Sequence, residues 1–542
     1  MQVSAKSPDF NPGIWLKQLL RDKNLTIGIT LFLLAAGLGY SAMLYSSFGD
    51  EGDSIAAAMF ISKGLVLYRD IFSHHFPFVY CWIALFFKLI HPSIRVARFS
   101  ILVFQLLTFF VMMLVTRRYK TIGLVAVLWS SIGFLYFANM ALYQSVIAMA
   151  CLPLFMIPLL AILQHKAPSL TEAILLGVCA SIALLTNPLA AFPIATASLF
   201  LILNRINRRR MVVTTLVFTA CMGLFLLYLS YTHSLGDFYQ SAILFNLQVY
   251  PKYNSAADIP GNFLNTIASG LYLFGTGRPM FPYDLSGSFT QTTIFLLSGT
   301  VSRLIVLLTC LGLLIKRKFL AAGFVFLFAA GILIRQYTNF DNLSFTLISL
   351  TMLAFSSMLP WEADLIRIKT GPEKTERNTW KLALSKQAFL TAVFSLLICL
   401  WFVSEGIIFR FNSQEDFNYA ANFSTYLKES KKITLLACGQ PVKLGYYPEG
   451  SYYYFFTGMQ PVSKYIYLWP WVAEVGLNDI LMSLKEDANV VVYIDKGGSV
   501  WGLANQKYLA PLIDYVEEEY IDAGNSYYIS PGLQGACKEA LK

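Results

Sequence analysis

About eleven apolar runs dominate this sequence, at 25–45, 99–115, 121–138, 144–163, 170–186, 189–203, 211–231, 293–315, 319–334, 343–359 and 387–409. Each is close to the roughly 17 to 25 residues that a helix needs to cross a bilayer. Inside that layer a chain must satisfy its own backbone hydrogen bonds, which a helix does within a single segment. Hydrophobic residues make up 56% of the chain and charged residues 13%, and the mean hydropathy is +0.57. The chain therefore reads as a polytopic α-helical membrane protein with about eleven transmembrane helices plus juxtamembrane helices.

Orientation follows from the cytoplasmic bias of lysine and arginine. Lys6, Lys17, Arg21 and Lys23 place the N-terminus in the cytoplasm, and no small-residue cleavage site follows the first run. The basic clusters Arg117-Arg118-Lys120, His165-Lys166, 205–210, Lys316-Arg317-Lys318 and 367–386 then all fall inside, provided that 76–90 does not cross. That stretch is short and carries Lys88, so it is expected to be an interfacial or re-entrant helix. The net charge of +10 is accounted for by topology, and nucleic acid is not called for as a partner.

With this orientation the loops 46–98 and 233–292 and everything from 410 onward face outward. Residues 1–409 then form a transmembrane domain and 410–542 a small extracytoplasmic α/β domain, with the boundary near Arg410. In the tail, the apolar stretches 433–437 and 490–494 read as short buried strands, and 417–428 and 508–520 as helices. The aromatic run 452–456 also reads as a strand. Of the eight cysteines, only Cys438 and Cys537 fall in this outer part, where they could pair in an oxidising compartment.

The first outer loop carries the densest polar cluster. Asp50, Glu51 and Asp53 are followed by Tyr68-Arg69-Asp70 and by His74-His75-Phe76-Pro77. Charge at a membrane surface is costly unless it does something. The acids also suit the first turn of a juxtamembrane helix, whose dipole favours them. No Walker loop, dinucleotide fingerprint, serine elbow or zinc-ligand spacing occurs, which argues against a nucleotide-driven pump.

A cytoplasmic N-terminus, one span, an outer loop opening on Asp50-Glu51, a juxtamembrane helix at 56–64, Tyr68-Arg69-Asp70 and then His75-Phe76-Pro77-Phe78-Val79-Tyr80 form a recognisable succession. It resembles the GT-C superfamily of membrane glycosyltransferases, and within it the protein O-mannosyltransferase and aminoarabinose transferase group (glycosyltransferase family 39 and its bacterial kin). The resemblance implies transfer of a sugar from a polyprenyl-phosphate donor, with inversion, to a lipid, glycan or protein acceptor outside a bacterial plasma membrane. It implies Asp50 as general base, with Glu51 beside it as the second catalytic candidate. Asp53, one helical turn on, would help position the acceptor or a divalent cation, and no other cofactor is called for.

Arg335, at the outer end of a span and followed by Tyr337, is the candidate for stabilising the departing lipid phosphate. His74 and His75 are candidates for contacting phosphate or acceptor, and Arg69 fits a local ion pair with Asp70 as well as a ligand contact. Where relatives carry an arginine and an acid after the third span, this chain reads Asn139, Tyr143 and Gln144. That departure favours chemistry without a two-carboxylate metal site. A transporter or flippase for lipid-linked sugars, or a polymerase or ligase of surface glycans, would use similar outward-facing groups.

Overall fold

Helix α1 (Gly49–Ser62) opens the part of the chain that the computed structural model describes, namely residues 49–116, 142–165, 167–204, 208–253, 302–332, 423–500 and 502–537. The apolar runs expected at 25–45, 121–138, 343–359 and 387–409 lie outside these residues, as do the domain boundary near Arg410 and the candidates Arg335 and Tyr337.

Within the described residues the remaining runs are helical. α2 (Phe78–Leu89) is 12 residues long, about 18 Å at 1.5 Å per residue and so too short to cross. It meets the next helix, α3 (Ile94–Thr116), at a bend of 117°. Length and angle both suit the interfacial or re-entrant helix expected at 76–90. α4 (Leu142–Gln164) contains Pro153 and Pro158, and α5 (Leu170–Thr186) starts on a capping box. In that box the Glu172 amide donates to Ser169 Oγ at 3.2 Å, and the Ser169 amide donates to Glu172 Oε2 at 2.6 Å. Asn187 then ends α5, and its side chain accepts from the Leu189 amide at 3.0 Å to cap the 3-10 turn Pro188–Ala190.

α6 (Ala191–Leu203), α7 (Arg208–Tyr231), α8 (Ser302–Ile315) and α9 (Phe319–Ile332) complete the apolar set. Rings of Phe155, Phe200, Phe324 and Phe328 knit α4, α6 and α9 together at centroid separations of 5.2 to 5.7 Å. Within α7, residues Arg209–Tyr231 are long and apolar enough to cross a membrane, and its leucines 216, 224 and 227 are all more than 60% exposed. In water such a surface would be an aggregation site, whereas hydrocarbon is its natural solvent.

The tail is a mixed sheet with helices against it. Strands β1 (Lys443–Tyr447), β2 (Gln460–Pro461), β3 (Val490–Ile494), β6 (Ile521–Gly524) and β7 (Tyr527–Ile529) lie in the order β2-β1-β3-β7-β6, and a separate hairpin joins β4 (Ser499–Val500) to β5 (Leu503–Ala504). β1 is parallel to β2 and β3, pairing Lys443 with Val490 and Tyr447 with Ile494, while β7 is antiparallel to β3. The strand expected at 490–494 is the buried, near-continuous apolar strand typical of a parallel pair. The helix expected at 508–520 is present as Ala510–Glu519.

Two expectations are overturned. Residues 433–437 close helix α10 (Ser424–Leu436), in which Ser430, Ile433 and Leu436 face inward at helical spacing while Leu435 is 70% exposed. The aromatic run 452–456 lies in α11 (Ser451–Thr457), which follows Gly450 and is stopped by Gly458 in the left-handed conformation. At Gly450 an added Cβ would come within 2.6 Å of the Tyr446 carbonyl, so the turn into α11 has room only for glycine. Helix α12 (Pro470–Glu486) then leads from β2 to β3.

Helices α5 and α7 meet through Gly177, where a Cβ would lie 2.7 Å from the Thr214 carbonyl, and the Thr214 hydroxyl donates to the Ala173 carbonyl at 2.9 Å. Small residues of this kind let membrane helices approach closely. Gly177→Val is expected to force the pair apart at a cost of about 1–3 kcal/mol, read as a lowered unfolding temperature in detergent. Gly223→Ala, at a glycine of α7 with nothing near its Cβ position, should change little.

Candidate active site

Asp50, Glu51 and Asp53 occupy the first turns of α1. Glu51 is fully covered there, and both its oxygens are taken. Arg98 of α3 donates through Nε to Oε1 and through Nη2 to Oε2, each at 2.6 Å, and the Tyr452 hydroxyl of α11 donates to Oε2 at 3.1 Å. The two side chains of the ion pair are 0% and 2% exposed. The Arg98 guanidinium also lies 5.9 Å from the Phe423 ring centroid. A forked guanidinium matches both oxygens of a carboxylate, which is the geometry that repays burial of two charges. Burial, reinforced by the Glu51 carboxylate, holds the Tyr452 phenol well above its ordinary pKa, so it remains a donor.

One turn on, Asp53 accepts a hydrogen bond from the Ser451 hydroxyl. Between the two acids, Gly52 lets α11 lie directly on α1. A Cβ at this position would meet the Tyr452 ring at 3.0 Å and Ser451 Cβ at 3.3 Å. The acid turn of α1 is thus gripped by two segments distant from it in sequence, the N-terminal end of α3 and α11 of the tail. The backbone of Asp50 belongs to α1, and its side chain lies outside those described.

The rest of the loop is fixed to the tail in the same way. Lys63 donates to the Gly458 carbonyl at 3.1 Å, and the Phe72 amide donates to the Lys464 carbonyl at 2.8 Å. Tyr68 is buried with φ of 72°, a left-handed conformation held in place as its hydroxyl donates to the His75 carbonyl at 3.0 Å. Arg69 forms a fork on Asp70 at 2.8 Å through both nitrogens and donates to the Thr232 carbonyl at 3.0 Å. The guanidinium holds the Asp70 carboxyl below its usual range, and the Val66 amide, donating at 2.8 Å, lowers it further.

His74 is buried, its Nδ1 sharing a hydrogen bond with the Tyr467 hydroxyl at 3.0 Å and its carbonyl accepting from Asn246 Nδ2 at 2.6 Å. Its ring lies 4.0 Å from that of His75 and 5.5 Å from that of Tyr250. Lys252 in turn pairs with Glu474 of α12. Among the described residues, no three His, Cys, Asp or Glu side chains are grouped as a metal site.

Glu51, Asp53 and His74 therefore all lie along the seam between the first loop and the tail, with His75 packed on His74, while Arg69 pairs with Asp70 and ties the loop to Thr232, just past α7. The sequence reading did not single out Arg98, Ser451, Tyr452, Tyr467 or Asn246. Arg98 carried a usable signal, since it is a cation at the edge of an apolar run, at the end that the sequence is expected to place outside, as Arg335 is. The other four carried none, because their importance depends on which distant segments meet.

No family model matches the sequence, and no curated protein does. Among solved structures, ArnT from Cupriavidus metallidurans in the apo state superposes with a TM-score of 0.53 at 11% identity, over 94% of this chain and 99% of that one. The same protein bound to undecaprenyl phosphate superposes with a TM-score of 0.51 at 12% identity, over 97% of this chain and 99% of that one.

Two outcomes follow from the site. Arg98→Met is expected to leave Glu51 a buried unpaired charge and to destabilise the protein by about 3–5 kcal/mol. Tyr452→Phe, which removes one donor, should cost about 1–2 kcal/mol; thermal unfolding in detergent compares the two. The second outcome concerns pH. The Asp70 pKa is lowered on folding, so its contribution is present above its unfolded value of about 4 and is lost as pH falls through the lower folded value. Protection of the Val66 amide, taken as its exchange relative to the intrinsic rate at each pH, should fall over that acid range and be flat there in Asp70→Asn.

Proposed function

We propose, from the GT-C fold that this chain shares with ArnT, that it is an integral membrane glycosyltransferase using a polyprenyl-phosphate-linked sugar. The observation that carries the reading is the acid turn of α1, built into the junction of the first loop, α3 and the tail. Its support from comparison is that ArnT, a protein with a matching fold, has been seen bound to undecaprenyl phosphate.

In this reading about eleven spans carry the chain, the N-terminus is cytoplasmic, and the acid turn and the tail face outward. The disulfide at Cys438 supports that side, since disulfides persist in oxidising compartments. Asp50 is the general base. Glu51 has both oxygens engaged by Arg98 and Tyr452, so we assign it to holding the turn rather than to proton transfer. Asp50 takes the proton of the acceptor hydroxyl as that oxygen attacks the anomeric carbon. The bond from that carbon to the phosphate oxygen breaks on the opposite face, its electron pair leaves with the lipid phosphate, and the configuration inverts. Arg335 and Tyr337 are assigned to the charge that grows on the phosphate, and Asp53 and His75 to holding the acceptor.

Asp50→Asn should lower transfer from a labelled polyprenyl-phosphate sugar by about 10²–10⁴-fold, the usual worth of a general base, with donor binding retained. Donor binding without turnover in the unaltered protein would favour a carrier-binding transporter instead. Turnover with Asp50→Asn unimpaired would move the base elsewhere. Running the assay with and without a chelator decides whether a divalent cation takes part.

A further inference from the structure

Aromatic rings from three distant parts of the chain close into one patch at the far end of the first outer loop. Trp469 and Trp471 flank Pro470 at the start of α12, with centroids 5.3 Å apart. Tyr250 and Tyr253, from the segment after α7, meet Trp471 at 5.8 and 6.2 Å. Tyr250 also stacks on His74, which leads to His75. Trp471 and His74 are buried and form the base, whereas His75, Tyr250, Tyr253 and Trp469 are half-buried. At the rim stands Glu474, exposed, paired with Lys252 and accepting from the Tyr253 hydroxyl at 3.1 Å.

The segment that delivers Tyr250 is itself unusual. Residues Tyr239–Val249 are wound as a π-helix, a rare winding that is found mostly at functional sites. Here it sets Asn246 on the His74 carbonyl and Phe245 against the rings of Phe72 and His74. The backbone departs from ordinary winding where it has to present these groups to the first loop.

The patch differs from the surface that faces lipid. Along the middle of α7 the exposed large side chains are aliphatic, Leu216, Leu224 and Leu227 among them, and the exposed rings Tyr228 and Tyr231 stand only at its end. Here the accessible rings are interleaved with a carboxylate, an ammonium and an imidazole. A pyranose ring has the complementary character, with an apolar C–H face that stacks on an aromatic ring and a hydroxyl edge that bonds to carboxylate and imidazole. We propose that this patch is a saccharide subsite that holds a hexose unit of a glycan acceptor. The proposal rests on the glycosyltransferase reading and names the acceptor class for it. A sugar held against His75 sits at one end of the loop whose other end carries the acid turn.

The test uses the full-length protein in detergent with no donor, and saturation-transfer NMR with methyl α-mannoside, methyl β-glucoside and diacetylchitobiose as probes. At least one sugar should receive saturation on its ring protons. Its affinity should be about threefold to tenfold weaker in Trp469→Ala and in Tyr253→Ala, as the loss of one stacked ring implies. Trp469→Phe should retain binding, and so should Asp50→Asn, which leaves the platform in place. Circular dichroism identifies any variant that has lost its fold, and Tyr253→Ala and Trp469→Phe serve if Trp469→Ala does so.

Absence of transfer to all three sugars, or equal affinity in both alanine variants, overturns the proposal. Quenching of Trp469 fluorescence by brominated phosphatidylglycerol in the absence of sugar binding would identify the patch as a lipid-facing girdle instead. The two readings fail separately: sugar binding without any turnover sinks the glycosyltransferase reading alone, and turnover on a lipid acceptor without sugar binding sinks the subsite alone.

Discussion

A carboxylate and a guanidinium removed from water must be held together well or the fold does not tolerate them, and the Glu51–Arg98 pair meets that condition with two 2.6 Å bonds and a third from Tyr452. Each group comes from a different segment, so the full set of bonds can form only when α1, α3 and α11 have all reached their places. It is a check on assembly as much as a source of stability. A change to any one of the three leaves the other charges or donors buried without their complement, and that penalty makes the arrangement close to all-or-none.

The tail is consequently part of the site. In a sheet with parallel strands, ligand crevices form beyond the carboxyl ends, at the point where the crossovers diverge. Here β1 has parallel neighbours on both sides, β2 reached through α11 and β3 reached through α12. At the carboxyl end of β1 the chain turns at Gly450 into α11, which docks onto the acid turn by way of Gly52, Ser451 and Tyr452. The place where such a sheet would receive a ligand is used to hold the loop of the neighbouring unit. The bonds from Lys63 to Gly458 and from Phe72 to Lys464 extend the same seam toward the histidines.

Much of the helical architecture was legible because a membrane span has a length requirement as well as a composition. The run expected at 170–186 coincides with α5, and the stretch expected to be interfacial became the short α2, set at a sharp angle to α3. In the tail that length signal is gone. A five-residue apolar run such as 433–437 or 452–456 is equally consistent with a buried strand and with one side of a short helix. What decided them reached beyond the runs: Ser430, which shares an inward face with Ile433 and Leu436 at helical spacing, in one case, and the stop at Gly458 in the other. The strand at 490–494 was readable because it is apolar on both faces, as suits the middle strand of a covered sheet. The acids of the site were visible in sequence, but their partners were not, since Tyr452 lies 401 positions from Glu51 and no local pattern reports such a meeting.

Adjacent acids at the start of a helix invite a single explanation, yet their surroundings can give them different work. Glu51 is committed on both oxygens to groups that are themselves buried, so its charge is consumed in holding the turn. A general base needs the opposite, an oxygen open to the acceptor and a proton affinity near the working pH. The two demands cannot be met by one carboxylate, because any group that secures it also occupies it. A paired motif resolves the conflict by dividing the labour, with the anchored acid fixing the backbone of its neighbour. Our assignment of Asp50 as the base therefore draws its force from what Glu51 is already doing: the better anchored the one, the more reproducibly the helix start that carries the other is placed.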